Sequence, residues 1–150
     1  MLKSSQKEVL ELMIKQESLL AKLYGLFAEQ FPEHREVWKE LNREEENHAN
    51  WLRQLYDAGE KSIILFNDVR VKTPALRTYV AHLGHLIERA EKKELTLDRA
   101  VAYTLDFEKS LIEKNVFSHF DSASEKARSV LNRLRSETEN HIKRIQAIKW

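Results

Sequence analysis

Apolar side chains recur at steps of three and four along most of this chain. From residue 6 to about 30 they are Leu10, Met13/Ile14, Leu20/Ala21, Tyr24, Phe27/Ala28 and Phe31. From 34 to about 57 they are Trp38, Leu41, Leu52 and Leu55. Three more stripes follow. Residues 74–93 carry Leu76, Tyr79/Val80, Leu83, Leu86/Ile87 and Ala90; residues 97–119 carry Ala100/Val101, Thr104/Leu105, Leu111/Ile112 and Asn115/Val116; residues 123–148 carry Ala127, Val130/Leu131, Leu134, Ile145 and Ile148. Such a period puts each set on one face of a helix. Residues 60–73, with the run Ile63-Ile64-Leu65-Phe66, lose the period and read as extended or irregular.

Local signals mark the ends. Pro32 breaks the first helix, and Asp57-Ala58-Gly59 reads as a stop for the second. Thr73-Pro74 opens a helix with Thr73 at the cap. Thr96 caps the next, and Ser122 with Glu125 forms a capping box before the last. The chain therefore predicts four principal helices, with an additional helical segment in the long connection between the second and third. This is an all-α bundle in one domain over residues 1–150. Composition agrees: three glycines and two prolines in 150 residues leave few breakers, and 33% charged with 42% hydrophobic residues suits helices with one solvated face.

The stripes are interrupted by polar groups at particular places. Glu17 falls within the first, Glu45 and His48 within the second, Glu108 within the fourth, and Thr138 and His141 within the last. Carboxylate and imidazole on a buried face are costly unless something satisfies them. The interruptions also repeat. Leu-Asn-Arg-Glu-Glu-Glu-Asn-His ends at His48, and Leu-Arg-Ser-Glu-Thr-Glu-Asn-His ends at His141. Glu17 lies 31 residues before His48, and Glu108 lies 33 before His141. Each half is thus a helix with an inward carboxylate followed by a helix with an inward histidine. Facing one another, the halves would gather these groups at one level of the core, an arrangement suited to metal. His82 and His85 flank their stripe without a carboxylate in register and read as surface histidines.

The constellation resembles the ferritin-like superfamily, and its rubrerythrin-type members especially. Their pattern is a Glu from each of two helices and Glu-x-x-His from each of the other two. Glu17 and Glu108 match the single carboxylates, Glu45 with His48 matches the first motif, and His141 matches the histidine of the second. The resemblance implies a ferritin-like four-helix bundle holding non-haem iron, either di-iron or one tight and one weaker metal. Mn or Zn would also suit these donors. It implies Glu17 and Glu108 as terminal ligands, Glu45 as a bridge, and His48 and His141 as nitrogen ligands. The implied activity is iron binding or redox chemistry on dioxygen or peroxide, an oxidoreductase of peroxidase-like type with a redox partner the sequence does not identify. The chain departs from the pattern at Thr138, where the second motif has its Glu; Glu137 and Glu139 each sit about 100° away around the helix. Position 111 is leucine where rubrerythrins tend to carry a further carboxylate, and no rubredoxin-like iron domain exists here without cysteine. Glu17, Glu45 and His48 would then make the fuller half-site. The alternative is a ferritin-like bundle without metal, a structural or interaction module that keeps a Glu–His network.

Charge and cysteine narrow the partners. A net charge of +1 gives no global bias toward nucleic acid or acidic lipid. Lys126, Arg128, Arg133, Arg135, Lys143, Arg144 and Lys149 make the last helix locally basic, which reads as a solvated face. The lack of cysteine excludes disulfides and thiolate sites. No apolar run reaches membrane-span length and no signal-peptide pattern opens the chain, so the expectation is a cytoplasmic protein with no membrane or nucleic-acid partner. Ile63–Phe66 and Trp51 lie outside the main stripes. They suit a two-fold homodimer contact, or in the case of Ile63–Phe66 a cap over the end of its own bundle.

Overall fold

A computed structural model of the chain describes residues 1–66, 73–113 and 124–150. Among the described residues, five helices form from the five stripes: α1 (Ser4–Gln30), α2 (Arg35–Glu60), α3 (Thr73–Glu91), α4 (Leu97–Glu113) and α5 (Glu125–Ala147). One short 3-10 turn, Pro32–His34, reverses the chain between α1 and α2. Proline at its first position fixes φ and loses no helix bond there. α1 packs along α2 and α3, α4 packs on α5, and α5 closes against α2. Two hairpins, α1–α2 and α4–α5, therefore face each other. α3 is the extra segment expected in the crossover, a full helix of 19 residues laid on α1. This is an all-α ferritin-like bundle.

The core is continuous from Val9, Leu10 and Met13 through Leu20, Tyr24 and Phe27 to Trp38, Leu41, Leu83, Leu111 and Leu134. Trp38 is fully buried and meets Phe27 edge-on, with ring centroids 5.0 Å apart. Tyr79 ties α3 to α4: its hydroxyl donates to the Phe107 carbonyl at 3.2 Å, and its ring meets that of Phe107 edge-on. Truncating a buried aromatic of this kind costs about 3–5 kcal/mol.

The helix starts follow the sequence signals more closely than the stops. α3 begins at Thr73, and Thr96 accepts the Arg99 N–H at 3.3 Å as α4 begins. The expected Ser122–Glu125 capping box does not form: α5 begins at Glu125 with Ser124 at the cap, so Glu125 stands at the first helical position and not the third. Ser122, Asn115 and Val116 lie outside the described residues. Gly59 does not stop α2, which runs one residue further. A Cβ there would come within 2.6 Å of the buried Leu2 side chain, so this glycine permits a close approach. The stop comes at Ser62, in the left-handed region at φ 57°, with the Ile63 N–H returning to the Ala58 carbonyl at 2.9 Å. Lys93 ends α3 in the same way at φ 58°, with the Glu94 N–H bonded to the Arg89 carbonyl. Both are Schellman-type closures made without glycine. The apolar run after α2 divides: Ile64 is buried, whereas Ile63 and Leu65 are 74% and 64% exposed.

Candidate metal centre

The helical register brings all five expected residues to one level of the core. Glu17 comes from α1, Glu45 and His48 from α2, Glu108 from α4 and His141 from α5, each no more than 1% exposed. They form two triads, Glu17–Glu45–His48 and Glu45–Glu108–His141, and in each one donor atom per residue falls within 4.8 Å of the others. Glu45 belongs to both. Its Oε2 lies 3.2 Å from Nδ1 of His48 and its Oε1 lies 2.9 Å from Nδ1 of His141. The imidazole rings stack with centroids 5.5 Å apart and planes 17° from parallel. Each triad has three donors, so donor number does not set the two half-sites apart.

Both histidines turn Nδ1 inward and Nε2 outward. His48 Nε2 meets Glu137 of α5 at 3.1 Å, and His141 Nε2 meets Glu44 of α2 at 3.2 Å. Each outer carboxylate thus serves the histidine of the opposite helix. Arginine holds each in turn. Arg133 Nε donates to Glu137 at 3.0 Å and lays its guanidinium 4.5 Å from the Trp51 ring centre. Arg144 donates twice to Glu44, at 3.0 and 2.8 Å, and also pairs with Glu40 at 3.3 Å. The basic residues of α5 are therefore not all solvated: Arg133 and Arg144 bind the seam between α2 and α5. Glu139 faces outward to Arg135. His82 and His85 are exposed, as their register implied.

In the helical pattern alone Glu137 is only a poor substitute for an inward ligand. The signal for its role is in the repeat. Glu44 and Glu137 occupy the same place, four residues before each histidine. What the repeat could not give is the exchange between helices, because the partner sits across the bundle. Tyr24 likewise belongs by its period to the core alone. Its hydroxyl donates to Glu108 Oε1 at 2.6 Å, both groups buried.

The electrostatics are those of a cluster built around positive charge. Burial lifts the Glu17 carboxyl well above its usual range, and the adjoining Glu45 charge adds to this. Burial opposes charge on His48, but the Glu17 and Glu45 carboxylates beside it, 3.8 and 3.2 Å from Nδ1, overrule it and push its pKa up to about 11. His141 moves upward too, with burial again opposed by Glu108, Glu44 and Glu45. Glu44 is held down at about 2, chiefly by the His141 imidazolium beside it and then by Arg144. In this state the two imidazolium protons supply the cationic charge among the carboxylates.

Those protons do not satisfy the donors. Among the described residues, both oxygens of Glu17 and Oε2 of Glu108 are buried without a hydrogen-bond partner. Glu45 Oε1 and His141 Nε2 have near neighbours but lie off the line a hydrogen bond needs. Buried oxygens of this kind are expensive to leave unpaired. Carboxylate oxygen and imidazole nitrogen are the donor set of divalent iron, manganese or zinc. The residues therefore fit a metal pair, with Glu45 between the two positions. Thr138, three residues before His141 on α5, is buried, with its hydroxyl donating to the Leu134 carbonyl at 2.9 Å.

A family model described as Rubrerythrin matches residues 8–126. The match spans Glu17, Glu45, His48 and Glu108; the inward placement of His141 rests on the structure. Neither the curated proteins nor the solved structures gave a match.

Proposed function

Because the chain belongs to the rubrerythrin family, we propose that its Glu/His cluster is a non-haem iron centre that binds two metal ions and acts in iron binding or in redox chemistry on dioxygen or peroxide. One observation carries this reading: two buried triads share one carboxylate, with unpaired carboxylate oxygens on both sides of it. Glu17 and His48 would hold one ion, Glu108 and His141 the other, and Glu45 would join them. Iron held there would supply electrons to a dioxygen- or peroxide-class oxidant.

The remaining tasks fall to the chain itself. Glu137 and Glu44 fix each imidazole so that Nδ1 faces the cluster, and such outer partners set ligand orientation and basicity. Tyr24 holds Glu108 by the 2.6 Å bond and keeps it from turning away. Burial of the five Glu and His side chains, none more than 1% exposed, keeps bulk water from them. His48 and His141 must give up their protons before Nδ1 can serve as a donor.

Anaerobic Fe(II) titration followed by metal analysis tests the reading. Two ions per chain are expected, and Glu45→Ala should lower the occupancy of both positions. The alternative, a metal-free bundle with a Glu–His network, draws on Thr138 and the loss of a fourth inward carboxylate. It predicts no Fe(II) uptake above that of Glu45→Ala.

A further inference from the structure

The metal cluster does not end at its ligands. Tyr24, hydrogen-bonded to Glu108, has its ring 5.8 Å from that of Trp38. Trp38 lies 5.2 Å from Trp150, and Trp150 lies 4.8 Å from His34, all between ring centroids. Tyr24 and Trp38 are fully buried, while Trp150 and His34 are half-buried. A line of aromatic rings therefore runs from a ligand of the site to the surface. Phenol and indole are among the side chains most readily oxidised by one electron, and the chain has no cysteine to compete.

We propose that Tyr24, Trp38 and Trp150 form an electron relay that delivers single electrons from the protein surface to the metal cluster; it rests on the reading of that cluster as an iron site.

The chemistry balances when one ferrous ion meets hydrogen peroxide. Reduction of peroxide to two waters takes two electrons and two protons. Iron gives one electron and becomes ferric, and the relay gives the other. Tyr24 yields the electron, and its phenolic proton shifts along the hydrogen bond to Glu108. Trp38 then reduces Tyr24, which takes its proton back. Trp150 reduces Trp38 and releases its indole proton to solvent. The sum is one ferrous ion, one peroxide, one indole and one proton going to one ferric ion, one neutral indolyl radical and two waters.

The surroundings of the indoles give the relay a direction. Trp38 Nε1 is buried with no hydrogen-bond partner among the described residues. An oxidised Trp38 has nowhere to leave its proton, so it stays a cation and a strong oxidant toward the next ring. Trp150 donates its Nε1–H to the Ile145 carbonyl at 3.0 Å at the half-buried end of the line, where the proton can leave and trap the radical. Trp51 is the competing exit, with its ring centre 5.4 Å from that of His48. The Arg133 guanidinium over its face opposes positive charge on that ring. Electrons should therefore be drawn through Trp150 and not Trp51.

The test loads the full chain anaerobically with less than one equivalent of Fe(II), adds hydrogen peroxide, and freezes the mixture for electron paramagnetic resonance. Peptide mass spectrometry then maps oxygen added to tryptophan. An indole radical and oxidation centred on Trp150, with Trp51 spared, are expected. Trp38→Phe should abolish oxidation at Trp150 and leave the radical on Tyr24, while Fe(II) uptake persists. Should that core variant fail to fold, Trp150→Phe decides: the radical should then reside on Trp38. Oxidation of Trp150 unchanged in a folded Trp38→Phe chain, or no Trp38 radical in Trp150→Phe, overturns the relay. Iron bound and peroxide reduced with no indole radical overturns the relay alone, whereas a chain that binds no Fe(II) overturns the metal reading with it.

Discussion

Glu137 and Glu139 stand two positions apart in one helix and do different things. Glu137 reaches His48 Nε2 at 3.1 Å, while Glu139 turns outward to Arg135. Loss of an outer partner to a ligand histidine typically lowers metal affinity by about 10–100-fold. Glu137→Ala should show that loss in competitive Fe(II) titration, and Glu139→Ala should not. Equal effects would mean that Glu137 does not orient His48. Protonation gives a second handle at this scale. His48 holds its proton up to about pH 11 in the metal-free chain, and His141 is shifted the same way. Metal must displace both protons, so apparent affinity should rise with pH below that value. Calorimetry in buffers of different ionisation enthalpy should register proton release on Fe(II) binding at pH 7; binding heats independent of buffer would refute it. Tyr24 supplies a third case. Tyr24→Phe removes one buried hydrogen bond and leaves Glu108 Oε1 short of a donor. Denaturant unfolding of the metal-free chain should show a loss of about 1–3 kcal/mol.

At the scale of elements, the hydrophobic period located all five helices, and the polar interruptions located five Glu and His side chains that lie buried together. Both follow from the fixed geometry of a helix, so a sequence displays them directly. The ends were less legible. Thr96 announces a start because a cap needs a side-chain oxygen, and the structure uses it. Ser62 and Lys93 announce nothing, because neither residue type favours the left-handed backbone each adopts. Gly59 misled for the opposite reason: glycine often ends helices, but here its missing Cβ makes room for Leu2. Contacts between helices were hidden as well. The Glu44–His141 and Glu137–His48 crossings need the relative placement of α2 and α5, which no single-helix pattern contains. The N-terminal end of α4 offers a test of the element itself. Thr96→Ala should cost about 0.5–2 kcal/mol in a denaturant titration, a loss that Thr96→Ser should largely restore.

At the scale of the whole molecule, the two hairpins repeat one plan with one exception. Glu45 precedes His48 by three residues, and Thr138 precedes His141 by three. Glu45 reaches both histidines, whereas Thr138 returns its hydroxyl to its own helix. Two divalent ions would bring four positive charges against three inward carboxylates, and the shortfall lies on the side of Thr138. Thr138→Glu should supply the missing group on the same face of α5. Without metal it adds a buried carboxylate to a cluster where burial already drives Glu17 toward its neutral form, so the metal-free variant should melt below the wild type. With Fe(II) the sign reverses, because a fourth carboxylate completes the charge balance and tightens the Glu108–His141 position most. Stabilisation by a bound ion grows with its concentration relative to its dissociation constant, so the gap between metal-free and Fe(II)-loaded melting temperatures should be wider in the variant than in the wild type. A variant that melts lower and gains no more from Fe(II) than the wild type would show that position 138 does not face the metal pair. The two-fold plan of the centre would then be wrong, even with both histidines in place.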